Sequence, residues 1–146
     1  MKTGIHLKVE ACAKGEYPFA IAHMASGWLC LAETQPLPGY CILLSDPVVS
    51  DTNVLSLEGR AQWGLDCAKA GDALIKILGA VRINYETWGN QDPALHTHIT
   101  PRFLDEPADK RTLPPRQAYD VATPKTDLAN ASILKLIGDL KRELTV

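Results

Sequence analysis

Short apolar segments in the first third of the chain alternate with turn residues and predict three neighbouring strands. Two of these segments, Phe19 to His23 and Trp28 to Ala32, are separated by Ala25-Ser26-Gly27, which has the length and glycine content of a hairpin. A third segment, Tyr40 to Leu44, is a continuous apolar run after a turn that contains proline and glycine. A run of this kind indicates a strand that is covered on both faces.

The most regular helical periodicity lies in the middle of the chain. It begins after Ser56, a candidate N-cap, and ends near Leu78, where Gly79 provides a stop signal. One apolar stripe of this helix includes several small residues, which indicates a close approach to a sheet or to another helix. A second apolar strip has two interpretations, core packing or a subunit interface, and consists of Trp63, Ala70 and Ile77.

The remaining pattern adds two strands and two shorter helices. Strands are expected at Val81 to Thr87 and Leu95 to Thr100, a short helix over residues 8–16, and an amphipathic helix from near Asp127. Residues 104–125 are rich in proline and are expected to be irregular. The order of helix, three strands, helix, two strands, helix predicts an α+β fold with an antiparallel sheet.

The composition is that of one folded, weakly acidic domain. Hydrophobic residues make up 46% of the chain and charged residues 22%, which excludes a disordered protein. With a net charge of −2, the chain has no bulk positive field to attract nucleic acid or acidic membranes. It has no apolar segment long enough for a membrane span and no signal-peptide core, so a soluble cytoplasmic protein is expected. We expect one domain over residues 1–126, with 127–146 as its helical extension.

The cysteines are scattered along the chain without any CxxC pair. They are Cys12, Cys30, Cys41 and Cys67. A chain of this size without an export signal does not need disulfides, and zinc sites use clustered ligands. The four thiols are therefore expected to be small buried hydrophobic groups.

Two of the four histidines form the sequence His96-Thr97-His98. On a strand, residues two apart point to the same face with about 6.6–6.8 Å between their Cα atoms, so both imidazoles are expected on one patch. Three interpretations are open: a hydrogen-bonded structural pair, a metal site that needs further ligands, or catalysis by one imidazole with help from the other. The nearest candidate ligands, Glu86 and Asp92, do not form a recognisable cluster, so no metal and no cofactor are predicted.

The sequence around this pair resembles the signature region of the histidine triad superfamily. Between Asn84 and Phe103 the chain contains Gly89-Asn90, then His96-x-His98 and finally Pro101-Arg102, in the order that this family shows. It looks most similar to the bacterial branch of diadenosine tetraphosphate hydrolase-like proteins. The resemblance extends over roughly residues 8–103, because the predicted strands and the long helix also occur in the family's order.

The resemblance implies roles for four residues. His96 matches the family's middle histidine, the nucleophile, and His98 matches the third histidine, which contacts the phosphate and the leaving group. Asn90 matches an amide that positions phosphate, and Arg102 matches the arginine after the proline, a second candidate for phosphate binding. From the residues alone, Asn90 can equally cap a turn, and Arg102 can pair with a nearby carboxylate.

The chain departs from the family pattern in several places. Ala94 occupies the position of the first histidine, and Ser45-Asp46-Pro47-Val48 stands where the family usually has a basic segment. The ribose-binding acid falls on Ala32 in this register, and Glu33, one residue away, is the candidate nucleoside ligand. An apolar slot for the purine, or alternatively plain strand core, is expected from Phe19, Ile21 and Leu31.

The resemblance implies a five-stranded sheet with a long helix across it, in a homodimer whose two sheets join. The implied activity is hydrolysis or nucleotidyl transfer at the α-phosphate of a purine nucleotide conjugate, through a covalent nucleotidyl-histidine. Suitable conjugates are a dinucleoside polyphosphate, a nucleoside phosphoramidate or an adenylylated metabolite. Because the triad is incomplete, a nucleotide-binding module with lost or weak turnover is the alternative, and a zinc protein is a third possibility. Arg111 and Arg116 are expected to be solvated or to reach a partner's phosphate site.

Overall fold

A five-stranded antiparallel sheet organises the structure, a computed structural model that describes residues 1–145. Its strands are β1 (Ala20–Met24), β2 (Gly27–Leu31), β3 (Cys41–Ser45), β4 (Arg82–Glu86) and β5 (His96–Arg102). They lie in the order β1-β2-β3-β5-β4, so β4 forms one edge of the sheet. The helices are α1 (Gly4–Ala13), α2 (Leu57–Leu78), α3 (Ala108–Arg111), α4 (Pro115–Ala118) and α5 (Ala131–Leu144). The predicted α+β class with five antiparallel strands is confirmed.

The long helix α2 has the ends that the sequence predicts. Ser56 caps it, because its side-chain oxygen accepts a hydrogen bond from the Gly59 N–H at 3.0 Å. Gly79 ends it with φ of 72°, a left-handed conformation that glycine adopts without steric cost. These two local signals fix the ends of the helix, and its buried residues pack it against one face of the sheet.

The main hydrophobic core lies between the sheet and the helices α2 and α5. The second apolar strip of α2 belongs to this core, since Trp63 and Ala70 are buried and Ile77 packs against the same cluster. The core interpretation of that strip is therefore right, and the strip gives no support to a subunit interface. From α5, the core receives Leu136, Ile137 and Leu140.

The opposite face of the sheet is partly covered by α1. A second, smaller cluster forms there from Ile5, Val9, Cys12, Cys30, Leu44 and Ala94. All four cysteines are free and buried, as predicted. This face also carries the two histidines, so α1 lies on the side of the sheet where chemistry is expected.

Two helices differ in their bounds from the prediction. Helix α1 begins at Gly4 rather than residue 8, because Thr3 and His6 form a local capping box that apolar periodicity does not reveal. Helix α5 begins later than predicted, because the Asn130 side chain accepts a hydrogen bond from the Ser132 N–H and caps the helix there. The segment 104–125 is largely irregular but contains the single turns α3 and α4. Within residues 1–145, no helix has the length and apolar character needed to cross a membrane.

Candidate active site

A cavity of about 330 Å³ opens where the loop after β4 meets the start of β5. This volume lies at the lower end of the range of small-molecule sites, about 300–1,000 Å³. Its lining residues are Trp88, Gly89, Asn90, Gln91, Asp92, His96, His98 and Arg116. Three of the four residues that the resemblance implicates, namely His96, His98 and Asn90, therefore meet in one place.

The alternation of β5 sends its side chains to opposite faces of the sheet. Thr97 points towards α2, where its hydroxyl accepts a hydrogen bond from the Trp63 indole N–H at 3.1 Å. His96 and His98 consequently share the other face, and their ring centroids are 5.1 Å apart with an interplanar angle of 71°. The prediction that the two imidazoles share one patch is confirmed.

His96 is oriented by the backbone rather than by another side chain. Its Nδ1 lies 2.6 Å from the Ala94 carbonyl oxygen, which can only accept, so Nδ1 carries the hydrogen and donates. In the neutral ring, Nε2 then has a free lone pair. Because a carbonyl is present whatever the side chain at position 94, the alanine leaves this orientation intact.

His98 is more deeply buried and has two polar neighbours. Its Nδ1 lies 2.6 Å from the Tyr40 hydroxyl and its Nε2 lies 3.3 Å from an Arg116 guanidinium nitrogen. A guanidinium group only donates, so Nε2 is the acceptor and Nδ1–H donates to Tyr40. Burial, with smaller contributions from His96 and Arg116, lowers the pKa of His98 to about 3. His98 is therefore a neutral imidazole at physiological pH.

Tyr40 and Arg116 are the two contacts that sequence reasoning missed. Tyr40 belongs to a predicted apolar run. A buried tyrosine hydroxyl usually has a hydrogen-bond partner, and this is the signal in the sequence that could have pointed to the contact. Burial raises the pKa of Tyr40 to about 12, so this hydroxyl keeps its proton. Arg116 is expected from the sequence to be solvated or to reach a partner's site, whereas it lines the cavity of its own chain.

Arg102, the second predicted phosphate ligand, does not line the cavity. It is 5% exposed, and its guanidinium forms an ion pair with Glu106 at 2.9 Å. All five of its N–H groups have acceptors, which are Glu106 (twice), Asn84 Oδ1 and the carbonyls of Lys110 and Leu113. The prediction of a phosphate contact for Arg102 is thus corrected, because no donor remains for a ligand.

The predicted nucleoside ligands are also placed elsewhere. Phe19, Ile21 and Leu31 are buried in the core beneath α2 and α5, on the face opposite the histidines. The core interpretation is right for these three residues. Glu33 accepts a hydrogen bond from the Tyr17 hydroxyl at 3.0 Å and lies 3.5 Å from the Lys125 ammonium, outside the cavity lining.

The loop that carries Asn90 is attached to α1. Gly89 has φ of 80° and turns the chain, which places Asn90 at the exposed rim of the cavity. Two residues later, a carboxylate oxygen of Asp92 accepts a hydrogen bond from the Ile5 N–H in the first turn of α1 at 3.1 Å. The first turn of α1 and the loop that lines the cavity are thereby held together.

The histidine pair has no third metal-ligating side chain beside it among the described residues. Among residues 1–145, no group of three or more histidine, cysteine, aspartate or glutamate side chains is arranged to hold a metal ion. His98 already uses both ring nitrogens in contacts with protein groups. The site combines two imidazoles with an amide and a guanidinium group.

Solved structures with the same arrangement of elements are histidine triad proteins. One from Sinorhizobium meliloti 1021 has a TM-score of 0.72 at 17% identity, over 86% of this chain and 89% of that chain. A hypothetical histidine triad nucleotide-binding protein from Sulfolobus tokodaii has a TM-score of 0.71 at 10% identity, over 95% and 91% of the two chains. The chain has the histidine triad fold.

A third structure gives the same result. The histidine triad protein from Marinobacter aquaeolei VT8 has a TM-score of 0.70 at 16% identity, over 86% of this chain and 88% of that chain. No protein-family model and no curated protein matches the sequence. At these identities the likeness concerns the fold, and the activity has to be argued from the site.

Proposed function

We propose that this chain is a nucleotide hydrolase or nucleotidyl transferase that uses His96 as a nucleophile on the α-phosphate of a purine nucleotide conjugate. The observation that carries the proposal is the 2.6 Å hydrogen bond from His96 Nδ1 to the Ala94 carbonyl. It selects the tautomer with a lone pair on Nε2, in a side chain that lines a cavity of about 330 Å³. A neutral imidazole attacks phosphorus without a separate base.

The proposed reaction has two steps. First, a bond forms between His96 Nε2 and the α-phosphorus while the bond from phosphorus to the leaving group breaks. Water then attacks the nucleotidyl-histidine, the nitrogen–phosphorus bond breaks, and the free imidazole returns. One water molecule is consumed overall, its hydroxyl ending on the nucleotide and its proton on the leaving group. Another nucleophile in place of water gives transfer from the same intermediate.

Two further residues are proposed to assist. The Asn90 amide, at the rim of the cavity, donates a hydrogen bond to a phosphate oxygen and orients the phosphorus for attack. The resemblance implies that His98, whose ring lies 5.1 Å from that of His96, acts on the phosphate and the leaving group. Because its Nδ1–H donates to Tyr40 and its Nε2 accepts from Arg116, we propose that it acts there by holding the Arg116 guanidinium beside the phosphate. Both act by positioning, which is the main source of catalysis in phosphoryl transfer.

The experiment that tests this proposal is detection of the intermediate. A nucleotidyl-histidine survives alkali, so a rapid quench at high pH followed by peptide mass spectrometry is expected to find the adduct on His96. His96→Ala is expected to lose both adduct and turnover, by about 10⁴-fold or more. His98→Asn, which keeps a donor towards Tyr40, is expected to slow adduct formation by about 10²–10³-fold without moving its site. An adduct on His98, or full activity in His96→Ala, would overturn the assignment.

One observation favours a second candidate, a nucleotide-binding module without turnover. Ala94, which the resemblance places at the first histidine of the triad, is 0% exposed and packed beneath α1. Its methyl group therefore does not contact a substrate in the cavity, and the triad lacks one imidazole. If the wild-type protein titrates a nucleoside monophosphate yet releases nothing from a panel of adenylylated substrates, the binding module replaces the enzyme.

We also propose a homodimer formed through the β4 edge. Strand β4 offers unpaired backbone groups, and apolar side chains are exposed beside it, with Tyr85 46% and Ile75 47% exposed. Sedimentation at tens of micromolar is expected to show about twice 15.9 kDa. Tyr85→Asp is expected to weaken the dimer, whereas Val54→Asp, at an exposed apolar residue outside β4, is not. A wild-type species of 15.9 kDa would contradict the proposal.

A further inference from the structure

The cavity contains a positive charge that comes from an unexpected part of the chain. Arg116 lies on the one-turn helix α4, and its guanidinium nitrogen is 3.3 Å from His98 Nε2. Among the described lining residues, Arg116 is the one lysine or arginine side chain, and burial holds His98 neutral. A phosphate that reaches the histidines must therefore come close to this guanidinium group.

The charge of Arg116 is not neutralised within the chain. Every salt bridge among residues 1–145 involves other basic groups, so no carboxylate oxygen lies within 4.0 Å of the Arg116 nitrogens. Its hydrogen-bond partner is instead a neutral imidazole, which carries no negative charge to balance the guanidinium group. An exposed guanidinium group over two imidazoles is complementary to an anion, and its fork of N–H donors fits phosphate oxygens.

The position of Arg116 depends on a buried network at the base of the 103–119 segment. Arg102 donates to the backbone carbonyls of Lys110, at 2.9 Å, and Leu113, at 2.6 Å, which flank the turn into α4. Its partner Glu106 also accepts hydrogen bonds from the Tyr119 hydroxyl at 2.7 Å and from the Phe103 N–H at 2.7 Å. Arg102 and Glu106 are both buried. The network thus fixes the segment on both sides of Arg116.

We infer that Arg116 is the phosphate-binding cation of this site, and that Arg102 with Glu106 is a positioning pair that holds the 103–119 segment over the histidines. The inference rests on the proposed function in that the anion is taken to be the phosphate of a nucleotide. It also explains how the site can have a positive charge although Ser45-Asp46-Pro47-Val48 contains no basic residue. The charge comes instead from Arg116, in the segment that follows β5.

Titration calorimetry with adenosine monophosphate and with inorganic pyrophosphate tests the role of Arg116. Arg116→Ala is expected to lose about 10–100-fold in affinity for both probes, as for removal of charge-assisted hydrogen bonds. Arg116→Lys should recover part of the affinity, since the charge remains but the fork is lost. The matched control is Arg111→Ala, an exposed arginine of the same segment that donates to the Leu104 carbonyl and does not line the cavity.

The positioning role is tested by Tyr119→Phe, which removes a single hydrogen bond to Glu106 and is expected to fold. It should lower affinity for both probes by a few-fold, and it should add nothing when Arg116 is already alanine, because it acts through Arg116. Equal losses in the presence and absence of Arg116 would show that the network acts only on stability and would overturn this part of the inference. Arg102→Lys is expected to behave as Tyr119→Phe does, with a larger loss.

The two probes separate failure of this inference from failure of the proposed function. If Arg116→Ala binds adenosine monophosphate as tightly as wild type does, the inference is wrong and the nucleotide function stands. If wild type binds pyrophosphate but not the nucleotide, and Arg116→Ala loses pyrophosphate, the inference stands and the nucleotide function fails. If wild type binds neither probe, both are overturned.

Discussion

Acid should weaken the fold through one buried imidazole, that of His98. The residue is 9% exposed, and its ring donates from Nδ1–H to Tyr40 and accepts at Nε2 from Arg116. A proton on Nε2 would remove the acceptor and place a second positive charge beside the guanidinium group. The pKa of His98 falls to about 3, mainly because the ring is buried and to a smaller extent because His96 and Arg116 lie beside it.

The size of the effect follows from proton linkage. Between pH 6.5 and about 3, the unfolded chain binds a proton at this imidazole that the folded chain does not bind. The stabilisation is complete above the unfolded pKa of about 6.5 and is lost as the pH falls towards the folded value. Each pH unit in this window costs about 1.4 kcal/mol, so from pH 7 to pH 4.5 His98 alone should remove about 2.5 kcal/mol.

Urea unfolding at the two pH values, for wild type and for His98→Asn, isolates this contribution. The asparagine amide keeps a donor towards Tyr40 but does not titrate, and every other acidic group and histidine is common to both proteins. The loss of unfolding free energy from pH 7 to pH 4.5 should be smaller in the variant by about 2.5 kcal/mol. Equal losses in the two proteins, or an imidazole signal of His98 that titrates near pH 6 by NMR, would refute the reasoning.

Three further substitutions test the site and its support. Asn90→Ala should lower turnover by about 10–100-fold with unchanged unfolding free energy, because a hydrogen bond to the phosphate is lost. Unchanged kinetics would show that Asn90 serves only the turn. Ala94→His should destabilise the fold by about 1–3 kcal/mol or more in urea unfolding, because the methyl group is 0% exposed; a variant as stable as wild type would contradict that packing. Trp63→Phe should cost about 1–3 kcal/mol by the same assay, since Thr97 loses its indole donor, and no cost would argue against that hydrogen bond.

Most of the fold could be predicted because its signals are local. The ends of α2 follow from Ser56 and Gly79, and the strands follow from apolar runs between turn residues. The bounds of α1 and α5 were less predictable. They depend on side-chain caps at Thr3 and Asn130. These caps leave no trace in the spacing of apolar residues, so the periodicity alone does not locate the helix ends.

The site was predictable only in part. The spacing of His96 and His98 determines that they share a face, whatever the rest of the fold does. The assignment of Phe19, Ile21 and Leu31 to a purine slot failed because a strand pattern does not state which face of the sheet an apolar residue occupies. The register of β1 against β2 also shifts between Ala20 and Ala22, so that Ile21 and Ala22 both belong to the core, which strict alternation does not predict.

The length of β5 explains why Arg102 does not line the cavity and Arg116 does. Arg102 shares the face of His98 but lies four residues further along the strand, so roughly 13–14 Å separates the two Cα atoms. At that distance the Arg102 guanidinium satisfies its donors on Glu106 and on the carbonyls of the returning segment instead of on a ligand at the histidines. The same segment then brings Arg116 back to within 3.3 Å of His98. A motif match places a residue on the correct strand and face, whereas its hydrogen-bond partners decide whether it has donors left for a substrate. Arg102 has none, and its donors hold in place the segment that supplies the cation.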